Sequence, residues 1–160
     1  MSDFEEQIKL PFGWIFAAFM VAVMIGSVVF SWLSSRYSPE LLARPVYLLG
    51  ALTLLVPALS EDTWTCFASF LAFEFVCGLH WPLVGTLKGK YIPESSRSAV
   101  MNLIRVPLNL IVVVVLLKVA DMELSTVFTI CVMLVLCCFG FTFTLPTVAI
   151  GVKQSPNVDV

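Results

Sequence analysis

One apolar stretch in the second half of the chain carries a guanidinium and two amides at helical spacing. Asn102, Arg105 and Asn109 follow an i, i+3, i+7 pattern, so in a helix their side chains project to one side. The planar, charged fork of an arginine and the N–H groups of asparagine are donors that suit an anion. The pattern is compatible with an anion-binding face. Two structural alternatives compete with it: a salt bridge from Arg105, and amides that hold helices together.

The preceding apolar stretch is interrupted only by Glu74 and His80. A carboxylate would repel an anion, so Glu74 is expected to be a charge partner of Arg105 or a proton-coupling group. His80 is expected to be either a packing residue or a proton relay. With a rise of about 1.5 Å per residue, His80 and Arg105 lie at matching depths on antiparallel neighbours, and Glu74 is within reach of Asn109. These depths predict a polar seam between the two helices.

Proline and glycine residues in the same two stretches indicate how the helices bend and pack. Pro82 and Pro107 interrupt backbone hydrogen bonding, and we expect each to kink its helix. Gly78, Gly85 and Gly89 are expected to permit close contact between helices, because no phosphate-binding loop pattern accompanies them.

The composition indicates a membrane protein rather than a soluble domain. Of 160 residues, 59% are hydrophobic and 12% are charged, whereas soluble domains carry roughly 25% charged residues. Apolar runs without alternation predict an all-α membrane protein rather than a barrel. We expect one transmembrane domain over residues 1–160 with about five helices, at 11–33, 45–60, 64–87, 98–117 and 126–150.

Loop charges predict the orientation of the chain, because Lys and Arg are retained on the cytoplasmic side. With the N-terminus outside and the C-terminus cytoplasmic, the cytoplasmic side holds Arg36, Arg44, Lys88, Lys90, Arg97 and Lys153. The opposite side then holds two basic residues and seven acids, namely Lys9, Lys118, Asp3, Glu5, Glu6, Glu61, Asp62, Asp121 and Glu123.

The chain shows no signature of an enzyme or of a metal protein. The five cysteines lie in apolar spans without CxxC spacing or a nearby histidine cluster, so neither disulfides nor a zinc site is expected. Nucleophile and nucleotide motifs are missing as well. We therefore expect no catalytic residue, no metal and no cofactor. The basic residues form no continuous stripe, so no nucleic-acid partner is expected.

The segment 73–117 contains a Glu, a Gly and a Pro in one helix, the loop YIPESSRS, and the pattern N-x-x-R-x-P-L-N. It resembles the tenth and eleventh helices of the molybdate-anion transporter family of the major facilitator superfamily. Residues 11–27 are similar to the eighth helix of that family. The resemblance implies a partial C-terminal half of a major facilitator bundle, helices eight to twelve, that transports molybdate or a related oxyanion. It also implies that Asn102, Arg105 and Asn109 bind this substrate.

That family has twelve helices, so the chain is expected to be a fragment that is not competent alone. Its expected partners are the lipid bilayer, a molybdate-like oxyanion and the missing N-terminal helices of the same transporter. The expected location is the plasma membrane. The alternative is an accessory multi-pass protein that binds and modulates a partner membrane protein without transporting anything itself.

Overall fold

Five helices make up most of the described chain. The computed structural model describes residues 12–60, 62–119 and 121–145. Each helix is long and apolar enough to cross a membrane, and the described residues contain no strand. The all-α membrane fold that the sequence predicts is therefore confirmed. In chain order the helices are α1 (Phe12–Ser34), α2 (Pro39–Leu59), α3 (Thr63–Tyr91), α4 (Glu94–Val119) and α5 (Leu124–Thr142).

The helices extend beyond the charge-free runs of the sequence. α2 begins at Pro39 rather than at residue 45, because Pro39 suits the first turn of a helix and Glu40 is favoured near the positive end of the helix dipole. α3 and α4 likewise continue through Lys88, Lys90 and Arg97. The length of a charge-free run reflects the thickness of the hydrocarbon layer, whereas the helix itself can continue into the polar interface.

α3 begins at a capping aspartate. The Asp62 carboxylate accepts hydrogen bonds from the Thr65 backbone N–H at 2.8 Å and from Thr65 Oγ1 at 2.6 Å. The first of these satisfies one of the backbone donors left free at a helix start. Both bonds hold the pKa of the Asp62 carboxyl below its usual range.

α5 ends at Thr142, eight residues before the predicted end at 150. The Phe143 N–H donates to the Gly140 carbonyl at 3.2 Å, and the Thr144 N–H to the Phe141 carbonyl at 3.1 Å. Such i to i−3 bonds tighten the last turn of a helix. Pro146 follows in the sequence, and a proline disfavours the helical backbone conformation of the residue before it. The rest of this predicted span and the charges Asp3, Glu5, Glu6, Lys9, Glu61 and Lys153 lie outside the described residues.

Four of the helices pack in the spatial order α1, α3, α2, α5. α1 runs parallel to α3, since Phe19 and Phe67 stack near the first turns of both helices at 5.8 Å between ring centroids. α2 is antiparallel to α5, because the Arg44 guanidinium lies 4.8 Å from the Phe143 ring centroid at opposite ends of the two helices. The buried core is formed by α1, α2 and α3 and comprises Phe30, Leu42, Ala43, Val46, Val76, Leu79 and Leu83.

α1 and α3 meet backbone to backbone at two glycines. A Cβ on Gly26 would collide with the Phe75 carbonyl oxygen and lie 3.1 Å from the Gly78 Cα. A Cβ on Gly78 would collide with the Val23 carbonyl oxygen. Only glycine permits this approach, which matches the use of small residues where membrane helices cross closely.

A buried ion pair joins α2 to α3 at the end of the bundle where α1 connects to α2. Glu40 is 0% exposed, and its Oε1 accepts from Lys90 Nζ at 2.6 Å and from Tyr91 Oη at 2.9 Å. The lysine side chain stays 39% exposed. In the other half of the two helices, Ser69 Oγ donates to the Thr53 carbonyl oxygen. Two polar contacts, well separated along the helices, therefore tie α2 to α3.

We expect Gly26→Val and Gly78→Val to separate α1 from α3. The added carbons would meet backbone atoms that cannot move aside, so the cost should reach at least about 3 kcal/mol, the upper range for overpacked cores. Thermal unfolding of the detergent-solubilised protein measures this. Gly85→Val is the matched control on α3, because a Cβ there would meet nothing within 4 Å. A Gly85→Val protein as unstable as Gly78→Val would contradict the account.

We expect Lys90→Leu to destabilise the protein more than the double change Glu40→Leu with Lys90→Leu. The single change leaves a buried carboxylate without its cation, whereas the double change removes both charges. Melting temperatures of the purified variants provide the comparison. Lys88→Leu is the control, because Lys88 is exposed and forms no salt bridge in the described chain. Equal losses of melting temperature in the single and double variants would show that the ion pair does not determine the stability.

Candidate functional site

α4 carries the three residues for which the sequence predicts anion binding. Asn102, Arg105 and Asn109 are all exposed on one side of this helix. Arg105 is the twelfth of 26 residues, so it lies about 17 Å from the start of a helix about 39 Å long. The guanidinium is therefore near mid-membrane depth, flanked by an amide one turn before it and another one turn after it.

None of the three side chains has a partner within residues 12–60, 62–119 and 121–145. No hydrogen bond or salt bridge there includes Asn102, Arg105 or Asn109. An arginine at the centre of a spanning helix costs about 2.5 to 3.5 kcal/mol on insertion scales, and such residues face water or a polar partner. The free fork of Arg105 and the two amides can donate several hydrogen bonds to one anion.

The structure does not bring Glu74 to Arg105. Glu74 is partly buried on α3, and none of the described hydrogen bonds or salt bridges joins it to Arg105 or Asn109. The predicted polar seam between α3 and α4 is therefore not formed. α3 packs against α1 and α2, whereas α4 has no buried residue and makes little contact with the other helices. The coupling role of Glu74 stays a prediction.

His80 lies in a different place, in an apolar cleft between α2, α3 and α5. Its ring contacts Tyr47 edge-on at 5.6 Å between centroids and Trp81 at 5.7 Å. No described side chain hydrogen-bonds to it. These contacts favour packing over proton relay for His80, whose role stays a prediction. The cleft has a volume of about 250 Å³ and is lined by Val46, Tyr47, Gly50, Phe73, Val76, Cys77, His80 and Val135.

The predicted helix-shaping residues divide into two groups. Gly78 makes the expected close contact, whereas a Cβ at Gly85 or Gly89 would meet no atom within 4 Å in the part of the chain that the structure describes, so close contact there stays a prediction. Pro82 and Pro107 lie inside α3 and α4, and the kinks expected at them stay predictions. Thr86 Oγ1 donates to the Pro82 carbonyl at 2.9 Å.

Glu40 is the polar residue that the sequence analysis missed. By sequence it resembles an ordinary loop charge beside a span, and its burial depends on Lys90, fifty positions later in the chain. The one available signal was its place after Ser-Pro, which marks a helix start. Within the described residues no group of three or more His, Cys, Asp or Glu side chains is placed to hold a metal ion.

Comparison with curated proteins identifies relatives that are transporters by name. The chain is 30% identical over 154 residues to a molybdate-anion transporter of Xenopus tropicalis, covering 84% of the chain and 33% of the relative. It is 32% identical over 114 residues to that of Takifugu rubripes and 33% identical over 110 residues to that of Danio rerio, each covering 63% of the chain and 23% of the relative. The chain thus spans about a quarter to a third of the length of these relatives.

Comparison with family models and solved structures completes the assignment. No solved structure matches the chain. The Major Facilitator Superfamily model matches residues 6–117, which include four of the five membrane-length helices. The chain therefore belongs to the Major Facilitator Superfamily.

Proposed function

We propose that the chain forms part of a transporter of molybdate or a related oxyanion, with Arg105 as its principal anion ligand. The observation that carries this proposal is a guanidinium at mid-membrane depth that has no partner among the described residues, with an amide on the same helix face on each side. A charged side chain at membrane depth is rare in a membrane protein and marks a substrate or ion pathway by default. The names of the relatives support an oxyanion as the substrate.

The chemistry of the site fits a tetrahedral dianion. A guanidinium presents parallel N–H groups that bind two oxygens at once, and its charge does not depend on pH. Asn102 and Asn109 lie about one turn on either side of Arg105 and add neutral donors. Glu74 is held on another helix, away from this face, so its carboxylate does not compete with an anion for Arg105.

The exposed surface of α4 supports the presence of further helices. A helix with no buried residue gains little packing from the other four helices. The curated relatives of the chain are about three times as long as the chain itself. The N-terminal helices of the same transporter would cover α4 and complete the substrate pathway. In that arrangement the chain alone does not transport, and it lies in the plasma membrane with its N-terminus outside and its C-terminus cytoplasmic.

A chimera tests the role of Arg105. The chain replaces the matching region of the Xenopus tropicalis relative, and uptake of radioactive molybdate is measured in cells that lack other uptake. Arg105→Ala should lower uptake on the order of 10- to 100-fold, the loss expected for charged hydrogen bonds worth about 1.5 to 3 kcal/mol. Arg105→Lys should also be impaired, because a lysine lacks the planar fork.

Lys118→Ala is the control, since Lys118 is a cation in the last turn of the same helix and away from the three residues. Surface abundance is measured for every variant. Uptake that is unchanged in Arg105→Ala would contradict the proposal. Loss of abundance in Arg105→Ala, rescued when Glu74 is also neutralised, would instead support the structural salt bridge.

The exposed α4 also favours the second candidate, an accessory membrane protein that docks α4 on a partner and modulates it. This candidate predicts that the chain, expressed alone with an affinity tag, purifies in a stable complex with another membrane protein. Purification as a lone chain, together with molybdate uptake by the chimera, would exclude it.

A further inference from the structure

Cys77 and His80 lie three residues apart on α3 and line the same cleft. Side chains three apart on a helix are neighbours, with about 5–6 Å between their Cβ atoms. Both residues are partly buried, and they lie about 21 and 26 Å from the start of a helix that is about 44 Å long. A thiol and an imidazole therefore share one cavity of about 250 Å³ between α2, α3 and α5, well inside the membrane.

Neither of these two groups has a hydrogen-bond partner within residues 12–60, 62–119 and 121–145. The other cysteine of α3, Cys66, donates its thiol proton to the Ser60 carbonyl oxygen at 3.2 Å. Cys77 makes no comparable bond there, and the His80 ring contacts only the rings of Tyr47 and Trp81. An imidazole left without a partner in apolar surroundings is costly, so an occupant that binds its free nitrogen would stabilise the cleft.

The walls of the cleft restrict the charge of such an occupant. None of the described lining residues carries an acidic or strongly basic side chain, and valines from α2, α3 and α5 surround the pair. An acyl chain fits apolar walls but cannot bind an imidazole nitrogen, and an anion finds no cation there. A divalent cation on one thiolate would leave a net positive charge in apolar surroundings, which is costly. A monovalent cation on one thiolate and one neutral imidazole leaves none.

The number of ligands also selects a monovalent ion. Zinc takes three or four protein ligands, and no group of three or more His, Cys, Asp or Glu side chains is placed to hold a metal within the described residues. Copper(I) accepts two ligands in line, thiolates select it, and imidazole also suits copper. With bonds about as long as those of zinc, a linear bridge from sulfur to nitrogen spans about 4.4 Å. Neighbouring side chains on one helix can reach that span.

We propose that Cys77 and His80 bind one copper(I) ion in the cleft between α2, α3 and α5. The ion replaces the thiol proton, which leaves to the solvent, so the sulfur binds as a thiolate and the imidazole binds through one neutral nitrogen. No electron is transferred, and the complex has no net charge. The Tyr47 ring lies edge-on to His80 at 5.6 Å between centroids and limits rotation of the imidazole. The site involves none of the three α4 residues, so it does not depend on the proposed anion transport.

Copper titration of the purified full chain tests the proposal. Copper(I) is kept reduced by ascorbate without oxygen and is titrated in competition with the coloured chelator bicinchoninate. One variant keeps Cys77 as its only cysteine, and the matched control keeps only Cys66, which is also partly buried on α3 but has Ser69, not a histidine, three residues later. The remaining cysteines are changed to alanine in each: Cys66 or Cys77, with Cys131, Cys137 and Cys138.

The chain with only Cys77 should bind one copper(I) at least about tenfold more tightly than the chain with only Cys66, because losing a ligand costs at least as much as losing an outer partner of one. His80→Phe in the Cys77 chain should weaken binding by a similar factor. X-ray absorption at the copper edge should show one sulfur and one nitrogen ligand. Equal affinities of the two single-cysteine chains, or a spectrum with sulfur ligands alone, would overturn the proposal.

The native chain gives a second readout that needs no substitution and so does not depend on the folding of a variant. N-ethylmaleimide alkylates cysteines that hold no metal, and peptide mass spectrometry follows each of the five cysteines separately. One equivalent of copper(I) should slow the alkylation of Cys77 at least about tenfold, the factor expected for binding at this site, and should leave Cys66 unchanged. Alkylation of Cys77 at the same rate with and without copper(I) would show that the cleft holds no ion. Protection by zinc as strong as that by copper(I) would contradict the two-ligand site.

Discussion

Hydrocarbon offers no hydrogen bonds, and this constraint governs the whole molecule. Every polar group at membrane depth has a partner in the protein, meets water, or costs several kcal/mol. α2 and α3 meet the constraint in part, through contacts such as Glu40 with Lys90 and Ser69 with the Thr53 carbonyl. α4 does not meet it within the described chain, because Asn102, Arg105 and Asn109 have no partner there. The face of α4 that we propose to bind the anion is thus a surface where the constraint is left unmet within the described residues.

The fold class and the number of helices follow from the sequence because bilayer thickness sets the length of an apolar run. The helix ends do not follow as closely, since charges such as Glu40 and Lys90 are tolerated where a helix enters the interface. It is harder still to predict from the sequence which helices pack against one another. Each helix is apolar on most sides, so no face is marked as the packing face. Of the three glycines expected at close contacts, only Gly78 makes one among the described residues.

The sequence predicts where the residues of the candidate site lie along their helices, but not which helices lie beside them. Spacing along a helix places Asn102, Arg105 and Asn109 on a common face, and the structure keeps them there. Counting residues also gave Glu74, His80 and Arg105 their depths, but depth says nothing about lateral position. The structure places His80 against Tyr47 in a cleft and leaves Glu74 without Arg105, because α3 buries its surfaces on α1 and α2. Contacts between residues far apart in sequence, such as Glu40 with Lys90, have no local signature.

The meeting of Gly26 and Gly78 limits how the protein can move. With carbonyl oxygens occupying the space where side chains would otherwise interdigitate, α1 and α3 have no layer of flexible atoms between them at the crossing. Sliding one helix past the other would bring backbone atoms into collision, so the two helices are expected to move as one rigid unit. In any rearrangement of this part of the protein, α1 and α3 must then move together, and other helices must move relative to this pair.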